Sequence, residues 1–399
     1  MKDAAINRRN FLRTTGLFGT SLTLGLPGVS LSGHFFENDV IRIGVIGTGS
    51  RGSGLIRIMR DLPQLRVMAC CDILPFRLED GLTHADPNAK GYSDYRALLD
   101  DKGIDAVLIA TPLYLHAQMA IDALGAGKHV YCEKTMAYNA EQAFRMVDKA
   151  QQHPKLTFQV GHQYHSSRLY YKIVELIQNG YIGTVTGFEC QWNRNGDWRR
   201  EVPDPKYEKI INWRMYQEYS CGLLAELSAH QIDFVNWVTQ SHPLSVVGTG
   251  GIDYWKDGRE TYDNVHVIFD YPKGIKASFT CTTANAYEGY QIKVLGDQAT
   301  IVIKPDSAWI YPEKVESEQE TALVDGVSGA TKSTLEEYGA IPINVEHTDP
   351  SKQALLDFAD NIIQSKMPLS NVITGAEISF AVQMALRSIR EKRSIAWEY

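Results

Sequence analysis

The sequence predicts an α/β protein in which a parallel-sheet domain is followed by an α+β domain with a large open, mostly antiparallel sheet. In the first half, short apolar runs alternate with segments of helical period, the pattern of βαβ units. In the second half, apolar and polar residues alternate with period two, for example along Ile275–Thr282, as in half-buried antiparallel strands. With 399 residues, of which 44% are hydrophobic, the chain is long enough for two such domains.

The first apolar run, Val40–Ile46, leads into a glycine-rich turn and a segment that can continue as a helix. The turn residues are Gly47, Thr48, Gly49, Ser50, Arg51 and Gly52. A strand, a G-x-G-x-x-G turn and a helix, in that order, form the fingerprint of a Rossmann-type dinucleotide-binding domain. Gly47 permits the turn, Gly49 lets the backbone approach a pyrophosphate, and Gly52 lets helix and strand pack closely. A glycine turn without a nucleotide is the alternative.

The second predicted strand, Leu65–Cys71, ends at Asp72, 20 residues after Gly52. A carboxylate there can accept both ribose hydroxyls of NAD and would repel the 2′-phosphate of NADP. Asp72 therefore favours NAD over NADP, whereas Arg51 and Arg77, nearby in the sequence, weaken that preference. Aspartate is also common in the turns that follow strands, and this structural role is the alternative reading of Asp72.

Three further apolar runs complete the predicted parallel sheet, over Asp105–Ala110, Gly127–Cys132 and Leu156–Val160. Ligands of such sheets bind at the carboxyl ends of the strands. The candidates for cofactor contacts are therefore the residues that follow these strands, namely Thr111, Pro112, His116, Glu133 and Lys134. His162 and Gln163 follow the last strand.

The loop 193–219 is rich in aromatic residues and arginine, including Trp213, Arg214 and Tyr216. Flat rings stack on the C–H faces of sugars, while guanidinium and hydroxyl groups bind their alcohols. The loop is therefore a candidate sugar-binding wall, although aromatic side chains are also common in protein cores.

A helix predicted after Gly222 carries Glu226, His230 and Asp233 with spacing i, i+4, i+7. Side chains with this spacing share one face of an α-helix. A histidine whose partners lie within the core is the alternative reading of His230.

The net charge of −7 and the lack of a long basic run argue against nucleic acid as a partner. The cysteines show neither a CxxC pair nor zinc-site spacing, so we expect buried free thiols and no metal site. They are Cys70, Cys71, Cys132, Cys190, Cys221 and Cys281.

The N-terminal segment resembles a twin-arginine export signal, because Arg8-Arg9 is followed by Phe11-Leu12 and by a weakly apolar stretch to about Leu31. That stretch is too short and too polar for a stable membrane span. We therefore expect export to the periplasm by the twin-arginine machinery, and a cytoplasmic location if the signal is not functional. Because this route carries folded proteins, the cofactor is expected to be tightly bound.

Residues 41–162 resemble the N-terminal domain of the Gfo/Idh/MocA oxidoreductase family, in which a Glu-Lys-Pro motif after a strand supplies a lysine beside the nicotinamide. Here the motif is Glu133-Lys134-Thr135, so the lysine is kept and the proline is not. The helix of His230 is similar to a family motif with an aspartate four residues before the histidine and another three after it. Glu226 stands where the first aspartate is usual.

The resemblance, which spans Val40–Trp397, implies reversible hydride transfer between NAD and a secondary alcohol of a sugar, glycoside or cyclitol. In this reading Lys134 and His230 form the proton relay, and Glu226 holds His230 or a neighbouring hydroxyl. The implied substrate contacts are His162, Gln163, Trp213, Arg214, Tyr216 and Asp233. The expected domains are a signal segment (1–34), a dinucleotide-binding domain (35–162) and a substrate-binding and oligomerisation domain (163–399) of a homodimer or homotetramer.

Two other functions fit the same residues. An NAD-dependent glycosidase or lyase would oxidise its substrate transiently, eliminate a group, add water and reduce the product again. A non-catalytic protein would keep the nucleotide for stability alone, which does not explain the presence of both Lys134 and His230.

Overall fold

The computed structural model describes residues 40–313 and 340–399, so the predicted signal segment lies outside the described residues. The first domain alternates strands and helices. Its strands are β1 (Ile41–Ile46), β2 (Leu65–Cys71), β3 (Lys90–Tyr92), β4 (Ala106–Ile109), β5 (His129–Cys132) and β6 (Phe158–Val160). Its helices are α1 (Ser50–Met59), α2 (Pro75–His84), α3 (Tyr95–Asp100), α4 (His116–Gly125) and α5 (Ala140–Gln152).

The six strands of this domain form one parallel sheet in the order β3-β2-β1-β4-β5-β6. Five of them were predicted from their apolar runs, and β4 and β5 are buried along most of their length. The sequence did not reveal β3, because Lys90–Tyr92 is a short, largely exposed edge strand with no apolar run. The predicted Rossmann-type sheet is confirmed.

The second domain is built around a nine-stranded sheet in the order β14-β13-β12-β11-β7-β10-β9-β8-β15. Its strands are β7 (Val185–Asn195), β8 (Ser245–Gly251), β9 (Asn264–Asp270), β10 (Lys276–Thr282), β11 (Ala284–Gly296), β12 (Ala299–Lys304), β13 (Ser307–Pro312), β14 (Ile341–Pro342) and β15 (Ile395–Ala396). Strands β7 and β10 are parallel neighbours, and the other neighbours are antiparallel. The predicted open, mostly antiparallel sheet is therefore confirmed.

One face of this sheet is covered by helices, and its inward-pointing residues form a continuous core with them. The helices of the second half are α6 (Arg168–Gln178), α7 (Glu208–Ile211), α8 (Ala229–Thr239), α9 (Pro350–Ile363) and α10 (Val372–Glu391). A π-helix, Leu224–Ser228, leads directly into α8.

Helix α10 joins the two cores. Phe380 and Ala376 pack into the core of the first domain, whereas Val382 and Ala385 pack into that of the second. Among the described residues, α10 alone is long and apolar enough to cross a bilayer, and it is mostly buried within the protein. Its apolar character follows from its contacts with two cores.

All six cysteines are free and buried, as predicted. Burial raises the pKa of the Cys70 and Cys281 thiols to about 12, so these thiols stay protonated and act as core side chains.

Candidate active site

The glycine turn after β1 has the geometry that a dinucleotide phosphate needs. Gly47 has φ +90°, a left-handed conformation that favours glycine. A Cβ on Gly52 would lie 1.9 Å from the main-chain oxygen of Gly47, so only glycine fits there. Gly49 caps α1 without any side-chain hydrogen bond, which leaves N–H groups at the positive end of the helix available to an anion.

Asp72, at the end of β2, fixes the turn and also lines the adjoining cavity. Its carboxylate accepts hydrogen bonds from the backbone N–H groups of Thr48 and Leu74, both at 2.9 Å. Each carboxylate oxygen has a second lone pair, so Asp72 can still accept ribose hydroxyls. Arg51, which weakened the preference for NAD, donates instead to Glu133 at 2.7 Å and to Ser351 at 3.1 Å.

A cavity of about 920 Å³ runs from Asp72 to His230 and is lined by residues of both domains. Most of the predicted site residues line it, namely Gly47, Gly49, Ser50, Arg51, Asp72, Thr111, Pro112, His116, Glu133, Lys134, Gln163, Trp213, Arg214, Glu226 and His230. The predicted residues that do not line it are Thr48, Gly52, His162, Tyr216 and Asp233. The glycine turn, the ribose acceptor and the proton-relay candidates therefore share one space.

Lys134 lies where the two domains meet. Its Nζ donates to the main-chain oxygen of Glu226 at 2.9 Å and lies 4.0 Å from a carboxylate oxygen of the same residue. Burial lowers the pKa of Lys134, and the Glu226 and Glu133 carboxylates oppose that shift. The Lys134–Thr135 peptide bond is cis.

The π-helix supplies the acceptors for this contact. The main-chain oxygen of Ala225 accepts the Thr135 hydroxyl at 2.9 Å, and that of Glu226 accepts Lys134. A π-turn changes the angular spacing of side chains, so the face expected for an α-helix is not maintained through this segment. The motif after β5 in the first domain is thus anchored on the π-helix of the second.

The Glu226 side chain forms its hydrogen bond and ion pairs with Arg214 and Lys134 and none with His230. It accepts a hydrogen bond from Nε of Arg214 at 2.8 Å and is only 8% exposed. Burial raises the pKa of Glu226, but Arg214 and Lys134 outweigh burial and the net pKa lies below its ordinary value. The carboxylate is therefore charged at neutral pH and compensates two cations.

His230 lines the cavity beside the rings of Tyr164 and Trp192. Burial, with smaller contributions from Lys134 and His162, keeps its pKa well below the ordinary histidine value. Its Nδ1 is buried without a hydrogen-bond partner. A neutral imidazole facing a cavity can accept a proton, which is what a general base requires.

Asp233 and His162 are buried and do not line the cavity. Asp233 is 2.9 Å from Nε2 of His165 and 3.8 Å from Nδ1 of His162. The rings of His162 and His230 are 6.0 Å apart. The three side chains Asp233, His162 and His165 thus form a buried cluster, of which the His162 ring lies next to His230. Gln163 is the residue of this loop that lines the cavity.

Two other residues that were predicted to contact the cofactor or the substrate have hydrogen-bond partners within the protein. His116 has ring nitrogens 3.0 Å from the oxygen of Thr135 and 2.9 Å from that of Thr111, so it joins the loops after β4 and β5. Tyr216 donates its hydroxyl to Glu208 at 3.2 Å.

The cavity also contains residues that sequence reasoning did not select. Tyr114 and Tyr219 pack with ring centroids 4.9 Å apart, and Arg77 and Arg200 lie beside the glycine turn. Arg200 comes from the aromatic loop, whose composition was noted, but no local pattern shows that it reaches the first domain. Among residues 40–313 and 340–399 there is no group of three or more potential metal ligands.

Two family models match the chain. Residues 41–162 match an oxidoreductase family with an NAD-binding Rossmann fold, and residues 170–302 match the GFO/IDH/MocA C-terminal domain.

Curated relatives are similar over part of their length. An inositol 2-dehydrogenase of Salmonella paratyphi B is 33% identical over 200 residues, which is 50% of this chain and 54% of that protein. A glycosyl hydrolase family 109 protein of Shewanella pealeana is 29% identical over 53% of this chain and 50% of its own. A 2,7-anhydro-N-acetylneuraminate hydratase of Mediterraneibacter gnavus is 33% identical over 52% and 51%. The matched region spans about half the length of these relatives.

Solved structures share the fold over nearly the whole chain. A levoglucosan dehydrogenase in complex with NADH and levoglucosan has a TM-score of 0.72 at 17% identity and covers 89% of this chain and 99% of its own. A myo-inositol 2-dehydrogenase from Lactobacillus plantarum has a TM-score of 0.70 at 19% identity, over 90% and 100%. These likenesses show the architecture of both domains.

Proposed function

The chain belongs to the Gfo/Idh/MocA family of oxidoreductases, and from this premise we propose that it transfers a hydride between NAD and a secondary alcohol of a sugar, glycoside or cyclitol. The observation that carries the proposal is that Lys134 and His230, from different domains, line the same cavity as the glycine turn. Relatives named as inositol dehydrogenases support this class of substrate.

The cofactor site is supported by three features of the described residues. The uncapped start of α1 and the steric need for Gly52 suit a pyrophosphate, and Asp72 suits a ribose with free hydroxyls. NAD bound there would supply the acceptor for the hydride that leaves the alcohol carbon. Thr111 and Pro112, at the end of β4, line the same cavity as the turn and Lys134.

The residues of the chain would handle the hydroxyl proton. Lys134, held by the main-chain oxygen of Glu226, can direct a remaining N–H towards the substrate oxygen and stabilise negative charge on it. His230 is neutral and can take the proton as the C–H hydride leaves. Glu226 keeps Lys134 and Arg214 electrically compensated, so neither cation is left unpaired in a buried site.

A second candidate is net glycoside cleavage or hydration through transient oxidation. The relatives named as a family 109 glycosyl hydrolase and as a hydratase favour it. Oxidation to a ketone acidifies the neighbouring C–H, a group on the next carbon is then eliminated, water adds, and the same hydride returns. Lys134 and His230 would serve both reactions.

One experiment separates the two. Purified protein is analysed for bound nucleotide by mass and absorbance, and aryl glucosides are then added without an external hydride acceptor. The dehydrogenase proposal expects reduced nicotinamide in at most one equivalent, stalled until a ketosugar is added. Repeated aglycone release without net reduction supports the second candidate, and absence of nucleotide binding contradicts both.

Export and assembly are part of the proposal. Arg8-Arg9 followed by Phe11 supports twin-arginine export to the periplasm with NAD tightly bound. Cell fractionation that compares the wild-type protein with the double variant Arg8→Lys, Arg9→Lys would test this.

Val247 and Ile268, register partners on β8 and β9, are 49% and 48% exposed on the uncovered face of the large sheet. That face suits a homodimer or homotetramer, which analytical ultracentrifugation would test.

A further inference from the structure

Among the described residues, two arginines beside the glycine turn form no ion pair, although the Asp72 carboxylate interacts electrostatically with one of them, Arg77. Arg77 in α2 and Arg200 in the second domain both line the cavity. Neither lies within ion-pair distance of a carboxylate in the described part of the chain, whereas Arg214 in the same cavity is paired with Glu226. The positive charges of Arg77 and Arg200 are thus available to an anion.

Both guanidinium groups lie against consecutive residues of the turn. Nη1 of Arg200 donates to the hydroxyl of Ser50, the first residue of α1, at 2.6 Å. Nη1 of Arg77 lies 3.4 Å from the position that a Cβ on Gly49 would occupy. An anion at the start of α1 would therefore be within reach of both.

The backbone of Arg200 is held in place by its own segment. Its N–H donates to the Asn212 side chain at 2.7 Å, and its carbonyl oxygen accepts from the same side chain at 3.0 Å. The neighbouring Arg199 pairs with Glu208 and with Asp257. Because these contacts fix the Arg200 backbone within the protein itself, little ordering of that backbone would be needed when an anion binds.

The electrostatics indicate what would bind. Burial lowers the pKa of Arg77, Asp72 opposes this, and the positive charges of Arg200 and Arg214 lower it further. Burial and Arg214 likewise lower the pKa of Arg200. Cations that destabilise one another in this way are stabilised by a dianion between them, and guanidinium groups match phosphate oxygens in geometry.

We propose that Arg77 and Arg200 bind the pyrophosphate of the dinucleotide together with the turn Gly47–Gly52. The second domain then holds the cofactor through Arg200, and dissociation requires this contact between domains to break. The inference rests on the proposed function, because it needs a dinucleotide in this cavity, and it assigns the expected tight binding of that dinucleotide to two named side chains.

The test compares ADP-ribose, which contains the pyrophosphate, with adenosine, which does not. Binding of each to the nucleotide-free protein is measured by titration calorimetry for wild type and R200Q. The loss of a charge-assisted hydrogen bond should weaken ADP-ribose about 10- to 100-fold and leave adenosine unchanged. Release of NADH from the loaded protein, followed by the fluorescence of its reduced nicotinamide, should accelerate by a similar factor.

Lys206→Gln is the matched control, because Lys206 is an exposed cation of the same loop that pairs with Asp204 and does not line the cavity. Equal weakening of both ligands by R200Q would show a structural role and overturn the proposal, as would no change in either. If R200Q does not fold, the same two titrations are carried out on R77Q, and the same results support or overturn the proposal. Failure of the wild-type protein to bind ADP-ribose contradicts the proposed function itself.

Discussion

Nζ of Lys134 donates a hydrogen bond to the main-chain oxygen of Glu226 at 2.9 Å. The lysine follows the fifth strand of the parallel sheet, and the acceptor belongs to the π-helix of the second domain. This contact holds the candidate proton-relay lysine at the boundary between the two domains. Its partner side chain, Glu226, also neutralises Arg214, so geometry and charge at the site are coupled.

Lys134→Met should slow hydride transfer without abolishing NAD binding. A positioned proton-transfer group typically contributes ~10²–10⁴-fold, so we expect a loss of that size in kcat. The measurement is the appearance of reduced nicotinamide under saturating substrate, with NAD affinity measured in parallel. Lys155→Met, at an exposed loop position, is the control. A rate for Lys134→Met close to that of the control would remove Lys134 from the mechanism.

Glu226→Gln should reduce both stability and activity. The substitution leaves Arg214 and Lys134 without their buried counter-charge, and losing a charged hydrogen bond costs about 1.5–3 kcal/mol in the free energy of unfolding. It also removes a carboxylate that raises the pKa of Lys134, so that pKa should fall further. Urea unfolding and the pH dependence of kcat measure the two effects. Wild-type stability together with an unmoved pH profile would contradict this account of Glu226.

Gly52→Ala should abolish NAD binding, whereas Gly54→Ala in the same helix should not. A Cβ on Gly52 would meet the Gly47 oxygen at 1.9 Å, while a Cβ on Gly54 meets no atom within 4 Å. Because alanine is a better helix former than glycine, Gly54→Ala should stabilise the protein by about 0.5–1 kcal/mol. Equilibrium dialysis with NAD and thermal unfolding of the pair provide the measurement. Equal NAD affinity in the two variants would refute the assigned role of the turn.

Acidification should destabilise the fold below about pH 6.5 through buried histidines. Burial lowers the pKa of His116, His162 and His230 in the folded state. Between the lowered folded pKa and the unfolded value, the unfolded chain binds more protons, so stability falls as pH decreases. Each histidine contributes at most about 1.4 kcal/mol per pH unit. Urea unfolding across this pH range should show that the free energy of unfolding changes less steeply with pH for His230→Gln than for wild type. Identical slopes would contradict the assignment of a neutral imidazole to His230.

Much of the fold could be predicted because buried strands consist of runs of apolar residues. The residues Ala106–Ile109 are apolar at every position because helices cover both faces of the parallel sheet. Strand β3 has no such apolar run, since Lys90 and Gly91 are exposed at the sheet edge. The alternation along β10 likewise revealed a half-buried strand, but not that its neighbour β7 runs parallel to it.

The residue types of the site could be predicted better than their partners. Lys134 and His230 line the expected cavity, yet Glu226 faces Arg214, and Asp233 faces His165. For Glu226 the cause is the π-helix, which the spacing of polar residues cannot distinguish from an α-helix. Asp233 lies in α8 together with His230, so its place beside His165 is set by tertiary packing and not by the π-helix. Arg200 could not be assigned for a similar reason, since its partner is 150 residues away.

The most direct test of the account is rapid mixing of the NAD-loaded protein with sugars and cyclitols, following the absorbance of bound nicotinamide. We expect at least one of these alcohols to reduce the wild-type cofactor in a single turnover. His230→Gln and Lys134→Met should retain NAD but show reduction slowed by orders of magnitude. Reduction at the wild-type rate in both variants, or a wild-type protein that binds no NAD, would contradict the central claim that Lys134 and His230 act together on one hydroxyl beside the cofactor.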